Sequence, residues 1–183
     1  AAAAMGRSID DVIIASLGGT AQAASNSTSL SSVALPAGQK IAVGATGLTV
    51  SKLLDAKYTL DAADVDPSIK KYIVVGPKQI QDLLNTTEVK SSDFNTVKAL
   101  AQGDINSFMG FNFIMSNRLA VDANSDRLVY AFTEDAVKLA IGSDVKARID
   151  ERNDKSYATQ VYYSMAIGAS RMEEAKVVEI ACN

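Results

Sequence analysis

The stretch from Val145 to Ile167 limits what this chain can become more than any other part of it. Val145, Ala147 and Ile149 alternate with Lys146, Arg148 and Asp150. Successive side chains of a strand point to opposite faces, so this alternation is that of a half-buried strand. Glu151-Arg152-Asn153-Asp154-Lys155 is a charged tip, and Ala158 to Ile167 reads as a long strand running back. Together they make a hairpin with a solvated end. Upstream, Gly110 to Met115 is a glycine-led apolar strand, and downstream Val177 to Ala181 is a final one. None of these pieces carries a catalytic signature. They read as the strands and turns of a protein whose job is to be a shape.

The rest of the chain alternates helices with short strands. Met5 to Leu17 is an amphipathic helix: Ile9, Val12, Ile13 and Leu17 recur at helical spacing, and Arg7, Asp10 and Asp11 face away. Gly18-Gly19 stops it. No residue caps its start, so the expectation is a chain that begins inside a longer element. Ala21 to Gly47 has Lys40 as its one charged residue and reads as loop with one or two short strands, such as Lys40 to Val43. Thr49 offers an N-cap for a helix with Val50, Leu53, Leu54 and Tyr58 as its apolar stripe. Asp64-Val65-Asp66-Pro67 ends it, because the residue before proline avoids the helical region. Tyr72 to Val75 is a buried strand, and Gly76-Pro77 turns the chain into a helix from Lys78 to Leu84. Asn85 to Asn95 reads as an exposed loop and Thr96 to Gln102 as a further helical turn. Leu128 to Phe132 is a strand. Thr133, with Glu134 and Asp135 behind it, predicts a helix that ends at Gly142.

The chain has 183 residues, enough for one large domain or two small interleaved ones. A chain of this length buries roughly 70% of its unfolded surface and needs no staples. Hydrophobic residues are 48% and charged residues 21%, ordinary for a globular protein. No apolar run approaches the length of a membrane span, and no secretory pattern opens the chain. Net charge is −3, and no cationic cluster exceeds Lys70-Lys71, so the stripe of cations that grips nucleic acid is absent from the sequence order. A single cysteine, Cys182, excludes an intrachain disulfide and reads as a small apolar side chain.

The usual reactive constellations are missing. With no histidine, neither a Ser-His-Asp nor a Cys-His arrangement can form, and one cysteine cannot supply a zinc shell. Asp61, Asp64 and Asp66 are the best carboxylate cluster for a hard cation. Counting a calcium loop from Asp64 places Ile69 and Val75 where glycine and a bidentate glutamate belong, so a solvated helix end is the better reading. Gly44-Ala45-Thr46-Gly47-Leu48-Thr49 precedes a helix, but Leu48 stands where a phosphate loop needs lysine. Ser68-Ile69-Lys70-Lys71 has the Ser-x-x-Lys spacing of serine acyl enzymes without their companion elements. Asn26-Ser27-Thr28 and Asn85-Thr86-Thr87 fit the glycosylation pattern, with no sign of secretion. Glu173 and Glu174 flank Arg171 and Lys176 and suit local ion pairing. Phe108, Phe111 and Phe113 could anchor a partner, with core packing the stronger reading. No catalytic, cofactor-binding or metal-binding residue is assigned, and no cofactor is expected.

The order of elements resembles the carboxy-terminal portion of the tailed-phage major capsid proteins, whose fold was first described in a Hong Kong phage. Arg7-Ser8-Ile9-Asp10-Asp11 resembles the end of that family's spine helix. Lys71 to Pro77 with Ile80, Leu83 and Leu84 resembles its axial core. Phe108-Met109-Gly110-Phe111 followed by Asn117-Arg118-Leu119 resembles the strand and loop after its axial loop. Val145 to Met165, Gly168-Ala169-Ser170-Arg171 and Val177-Val178-Glu179-Ile180 resemble its peripheral hairpin and return strand. The amino-terminal arm and extended loop of such proteins have no counterpart here, so the expectation is the carboxy-terminal part of a larger product.

The resemblance implies an α+β fold. A peripheral domain would take residues 1–33 and 143–171, with the spine helix end and the long hairpin. An axial domain, a sheet flanked by helices, would take residues 34–142 and 172–183. The tip Glu151 to Lys155 would lie near three-fold contacts, and the loop from Asn85 to Gly103 would point to the capsomer centre. The implied function is a non-enzymatic subunit of an icosahedral tailed-bacteriophage capsid. It would be assembled in the host cytoplasm into pentamers and hexamers around double-stranded DNA, with no sequence-specific contact to it. Decoration, portal and scaffolding proteins would be further partners, and no membrane is implied. Mild acidity suits a wall that faces packed DNA. An encapsulin-like nanocompartment shell shares the fold and is the first alternative. A small enzyme working through carboxylates or Ser and Lys is the second, and would need a pocket where such side chains converge.

Overall fold

The structure, a computed structural model, describes residues 2–24, 29–85 and 107–183. Its centre is a six-stranded mixed sheet. In chain order the strands are β3 (Lys40–Ile41), β4 (Lys71–Val75), β5 (Ser107–Phe108), β6 (Phe111–Met115), β7 (Arg127–Thr133) and β10 (Val177–Cys182). Their order across the sheet is β3-β10-β7-β4-β6-β5. β4 is parallel to β6 and antiparallel to β7, and β10 is antiparallel to β7 and parallel to β3. Ile73, Val75, Val129, Val177, Val178 and Ile180 are buried along these middle strands. Such continuous apolar runs are what a sheet covered on both faces requires.

Among the described residues three α-helices accompany the sheet: α1 (Ala2–Gly18), α2 (Val50–Ala62) and α3 (Pro77–Asn85). Thr49 caps α2 as expected, its Oγ1 accepting from the Lys52 backbone N–H at 3.4 Å. The buried stripe of α2 is Leu53, Ala56 and Leu60, packed towards β10. Leu54 and Tyr58 are exposed, against expectation. They sit away from the i, i+3, i+7 row that starts at Leu53 and so turn from the sheet. Between α1 and β3 lies a small hairpin of β1 (Ala21–Ala24) and β2 (Leu30–Val33). β3 stops at Ile41 rather than Val43, because the Val43 carbonyl is taken by Thr46 N–H and by Lys52.

The two central strands β7 and β10 do not close into a turn at their far end. The chain leaves β7 into β8 (Val137–Arg152), returns through β9 (Ala158–Arg171) and only then enters β10. β8 and β9 pair with each other alone, from Val137↔Arg171 to Arg152↔Ala158. The register shifts between Ile141 and Lys146. The expected helix after Thr133 is therefore wrong. Thr133 does begin a turn, its hydroxyl on Asp135 Oδ1 at 2.7 Å and its carbonyl accepting from Ala136 N–H at 3.0 Å. Beyond it, Val137, Leu139 and Ile141 alternate with Lys138 and Ala140, and cross-strand pairing outcompetes helical capping. The loop, helical turn and capsomer-centre segment expected within residues 86–106 lie outside the described residues.

α1 joins the sheet through a contact without slack. A Cβ on Gly18 would overlap Tyr130 Oη and lie 2.9 Å from its Cζ. Gly18→Ala should lower stability by about 1–3 kcal/mol through overpacking. Tyr130→Phe in the same background should restore part of it, as read from thermal melts of the three variants.

Candidate assembly surface

A buried arginine fixes the base of the β8–β9 ribbon. Arg171, the last residue of β9, is 4% exposed. Its Nη1 donates to the Leu17 and Gly19 carbonyls at 2.9 and 2.6 Å, and its Nη2 donates to the Val33 carbonyl at 3.0 Å. The guanidinium thus binds the carboxy-terminal end of α1, where the helix dipole favours a cation, and the end of β2. No carboxylate among the described residues is involved. The local ion pairing expected of Glu173 and Glu174 with Arg171 and Lys176 forms between Glu173 and Lys176. Lys176 takes Glu173 at 2.9 Å and Asp135 at 2.6 Å, bracing the step between the sheet and the ribbon.

Alternation along the ribbon separates two faces. Ile167, Ala169 and Arg171 are partly or fully buried, whereas Ala166, Gly168 and Ser170 are exposed. α1 packs against β9 and β8 on the first of these faces. The cover ends before the tip. Further out on the same face, Ile149 pairs with Val161 and Ala147 with Tyr163. Ile149 is 71%, Val161 52% and Tyr163 40% exposed, and Ile141 is 58% exposed. The ribbon therefore leaves the body with an apolar face that no other described residue covers.

α1 has a second anchor. Arg118 in the loop after β6 donates through Nε and Nη2 to both carboxylate oxygens of Asp11. That bond holds the Asp11 carboxyl below its ordinary range. Asp135 is lowered in the same sense, first by Lys176 and then by the Thr133 hydroxyl. Behind the end of α1, burial and then Glu179 push the Tyr130 hydroxyl pKa upward. Glu179 itself pairs with Lys40 at 3.2 Å.

The other sequence candidates fall into structural roles. The loop before α2 is built inside out for a phosphate. The carbonyls of Val43, Thr46 and Gly47 point at the Lys52 ammonium at 2.8, 2.8 and 3.0 Å, and Ala181 adds a fourth at 3.0 Å. A phosphate cradle presents N–H groups, and this one presents oxygens to a cation. Burial pulls the Lys52 pKa below its ordinary value. Asp61 pairs with Lys71, and Asp66 Oδ1 accepts from the Ser68 N–H at 2.8 Å. Asp64 ends the helix with φ of 53°. No carboxylate group able to hold a metal occurs among the described residues. Lys71, engaged by Asp61, is not the free amine a Ser-Lys pair would need. Phe108 and Phe111 are buried, and Phe113 packs against the core. Cys182 is buried, which raises its thiol to about 11. Asn26, Ser27, Thr28, Thr86 and Thr87 lie outside the described residues.

Arg171 and Lys52 were missed as key residues by sequence reasoning. One signal was available for each: a charge in the inward register of an alternating strand, and a charge beside the first buried leucine of a helix.

An α+β body with a helix-braced two-stranded arm is the fold of phage capsid subunits. The family model described as phage capsid protein matches residues 1–183, and the chain belongs to that family. Solved structures agree in fold. The acid-stable capsid of Helicobacter pylori bacteriophage KHP30 is similar with a TM-score of 0.69 and 12% identity, over 100% of this chain and 67% of that one. The capsid of cyanophage P-SCSP1u gives 0.64 and 18%, over 100% of this chain and 64% of that one. The SrpI encapsulin complex of Synechococcus elongatus gives 0.53 and 10%, over 80% and 54%. The chain spans 64%, 60% and 63% of three capsid chains it matches, a little under two thirds. No curated protein matches it in sequence.

Two predictions follow from the junction. Arg171→Met should cost about 3 kcal/mol or more, because three carbonyls lose their donor in a buried place. Arg171→Lys should not restore it, since one ammonium cannot span the Leu17, Gly19 and Val33 oxygens; chemical denaturation measures both. Asp11 has a depressed folded pKa, so its contribution is complete above the unfolded value of about 3.9 and is lost as pH falls through the folded one. Thermal melts from pH 6 downward should therefore show an acid decline that is shallower in Asp11→Asn.

Proposed function

We propose that the chain is the structural, non-enzymatic subunit of an icosahedral tailed-bacteriophage capsid. It assembles into pentamers and hexamers around double-stranded DNA. In this reading residues 34–142 and 172–183 form an axial domain. Residues 1–33 and 143–171 form a peripheral one, whose ribbon reaches a neighbouring copy. The virion capsid is its location, after assembly in the host cytoplasm, with scaffolding, portal and decoration proteins as further partners.

The observation that carries this reading is the bare apolar face of the ribbon. A two-stranded hairpin is marginal in water on its own and gains stability when a further layer covers its apolar side. Ile149 and Val161 have no such layer among the described residues. In a shell, the same patch recurs on every subunit, and symmetry repeats each small gain. Family membership favours a viral shell over a nanocompartment, which shares the fold.

Electron microscopy of particles formed by the full-length product tests the proposal. Closed shells holding DNA are expected; closed shells holding protein cargo would move the assignment to a nanocompartment, and a protein that stays monomeric would overturn it. Ile149→Lys with Val161→Asp, an opposite-charge pair across the strands, should abolish particles while leaving the chain's own melting within about 1 kcal/mol of the parent.

A further inference from the structure

The second face of the ribbon is charged: the alternation in sequence sets Lys146 and Arg148 on one face, and strand pairing adds Lys138 and Arg152 to it. Lys138, Lys146, Arg148 and Arg152 pair across with Ser170, Ser164, Tyr162 and Ala158, all on the face turned away from α1. All four cations are exposed. Arg152 is held by Asp154 at the tip, and Asp150 shares the face. Lys146 and Arg148 form no ion pair with any described residue. At the root of the ribbon, where Lys138 and Lys176 also lie, carboxylates gather. Glu134, Asp135, Glu173 and Glu174 surround the step between sheet and ribbon. Lys176 occupies Asp135 and Glu173, which leaves Glu134 and Glu174 without an ion pair among the described residues.

These opposite patches cannot meet within one chain. Along β9, from Arg171 to Ser164 and Tyr162 opposite the two cations, the ribbon rises roughly 23–30 Å at the usual spacing per residue. That is about three Debye lengths at physiological salt. We propose that the ribbon's cationic face, through Lys146 and Arg148, docks on the acidic root of a second copy, at Glu134 and Glu174. The inference rests on the shell reading and names the electrostatic half of its contact. Because arm meets root, the contact is heterologous, and repetition by rotation closes a ring. Nucleic acid is the weaker occupant. With Arg152 engaged and Asp150 interspersed, few cations remain to release counterions from phosphates. The chain itself supplies the complementary surface.

The test is a charge swap in the full-length protein, read as the concentration at which light scattering and sedimentation first detect particles. Lys146→Glu with Arg148→Glu should raise that concentration about tenfold or more, as like charges oppose docking. Glu134→Lys with Glu174→Lys should do the same. All four substitutions together should return it to within about threefold of the parent. Raising salt should weaken assembly of the parent and of the swapped protein alike. Unchanged assembly in the arm variant, or no rescue in the swapped one, overturns the proposal and leaves the shell reading intact. Arm-variant particles that form normally but lose their DNA would give this face to nucleic acid and overturn it too. No particles from the parent chain would overturn the shell reading and this inference together. Far-ultraviolet circular dichroism of each variant separates lost docking from lost folding.

Discussion

The guanidinium of Arg171 is the contact on which the architecture turns. It joins three segments that the sequence keeps far apart: the end of α1, the end of β2 and the last residue of β9. Each acceptor is a backbone carbonyl at a place where its own element can no longer supply a donor. A helix leaves its last carbonyls unsatisfied, and burying them without a partner is costly. One planar cation with several N–H groups meets that need where a lysine could not. The direction in which the ribbon leaves the body is set there, because α1 lies along the ribbon's apolar root on one side and abuts Tyr130 of the sheet on the other.

The arm exists because the sheet is split. β7 and β10 are neighbours paired over Arg127 to Phe132 and Val177 to Cys182, and a short turn would have closed them. The chain instead extends the same antiparallel pair outward as β8 and β9, with Met172 N–H on the Ala136 carbonyl at 2.8 Å across the step. The core is thereby completed by strands flanking the arm, so the arm can be altered without removing a core element. Folding of the body and presentation of the surface are separable in consequence. Leu17, Phe111, Val129 and Ile180 are fully buried, and no residue from 145 to 165 belongs to the core cluster.

Much of this was legible in the residues. Period two between Val145 and Ile149, a charged tip and a returning strand specify a hairpin wherever they occur. The continuous apolar strands and the Thr49 cap were equally readable. The turn after Thr133 was misread because its capping chemistry is real: the hydroxyl, the acidic residues and the turn are all present, and only the strand partner decides against a helix. That partner, Arg171 opposite Val137, is remote in sequence. Alternation in the sequence sets Lys146 and Arg148 on one face, and only pairing with β9 aligns them with Lys138 and Arg152. Resemblance to a family supplied the functional expectation, and the residues supplied the surface; neither alone says which side chains meet a neighbour.

Two kinds of charge are used in different ways. Lys52 and Arg171 are buried and bonded to carbonyls, which do not titrate. Their contacts are therefore indifferent to acid. Asp11 with Arg118, and Lys176 with Asp135 and Glu173, lie at the surface and depend on ionised carboxylates. These are the links that fix α1 and the root of the arm to the body. Lowering pH through the depressed carboxylate range of Asp11 and Asp135 removes their pairs by protonation and leaves the carbonyl-bonded cations in place. Acid therefore strips the outer braces of α1 and of the arm's root, while the Arg171 junction, the sheet and its core persist. The fold thus rests on contacts that acid cannot reach, and its outer braces on contacts that acid can.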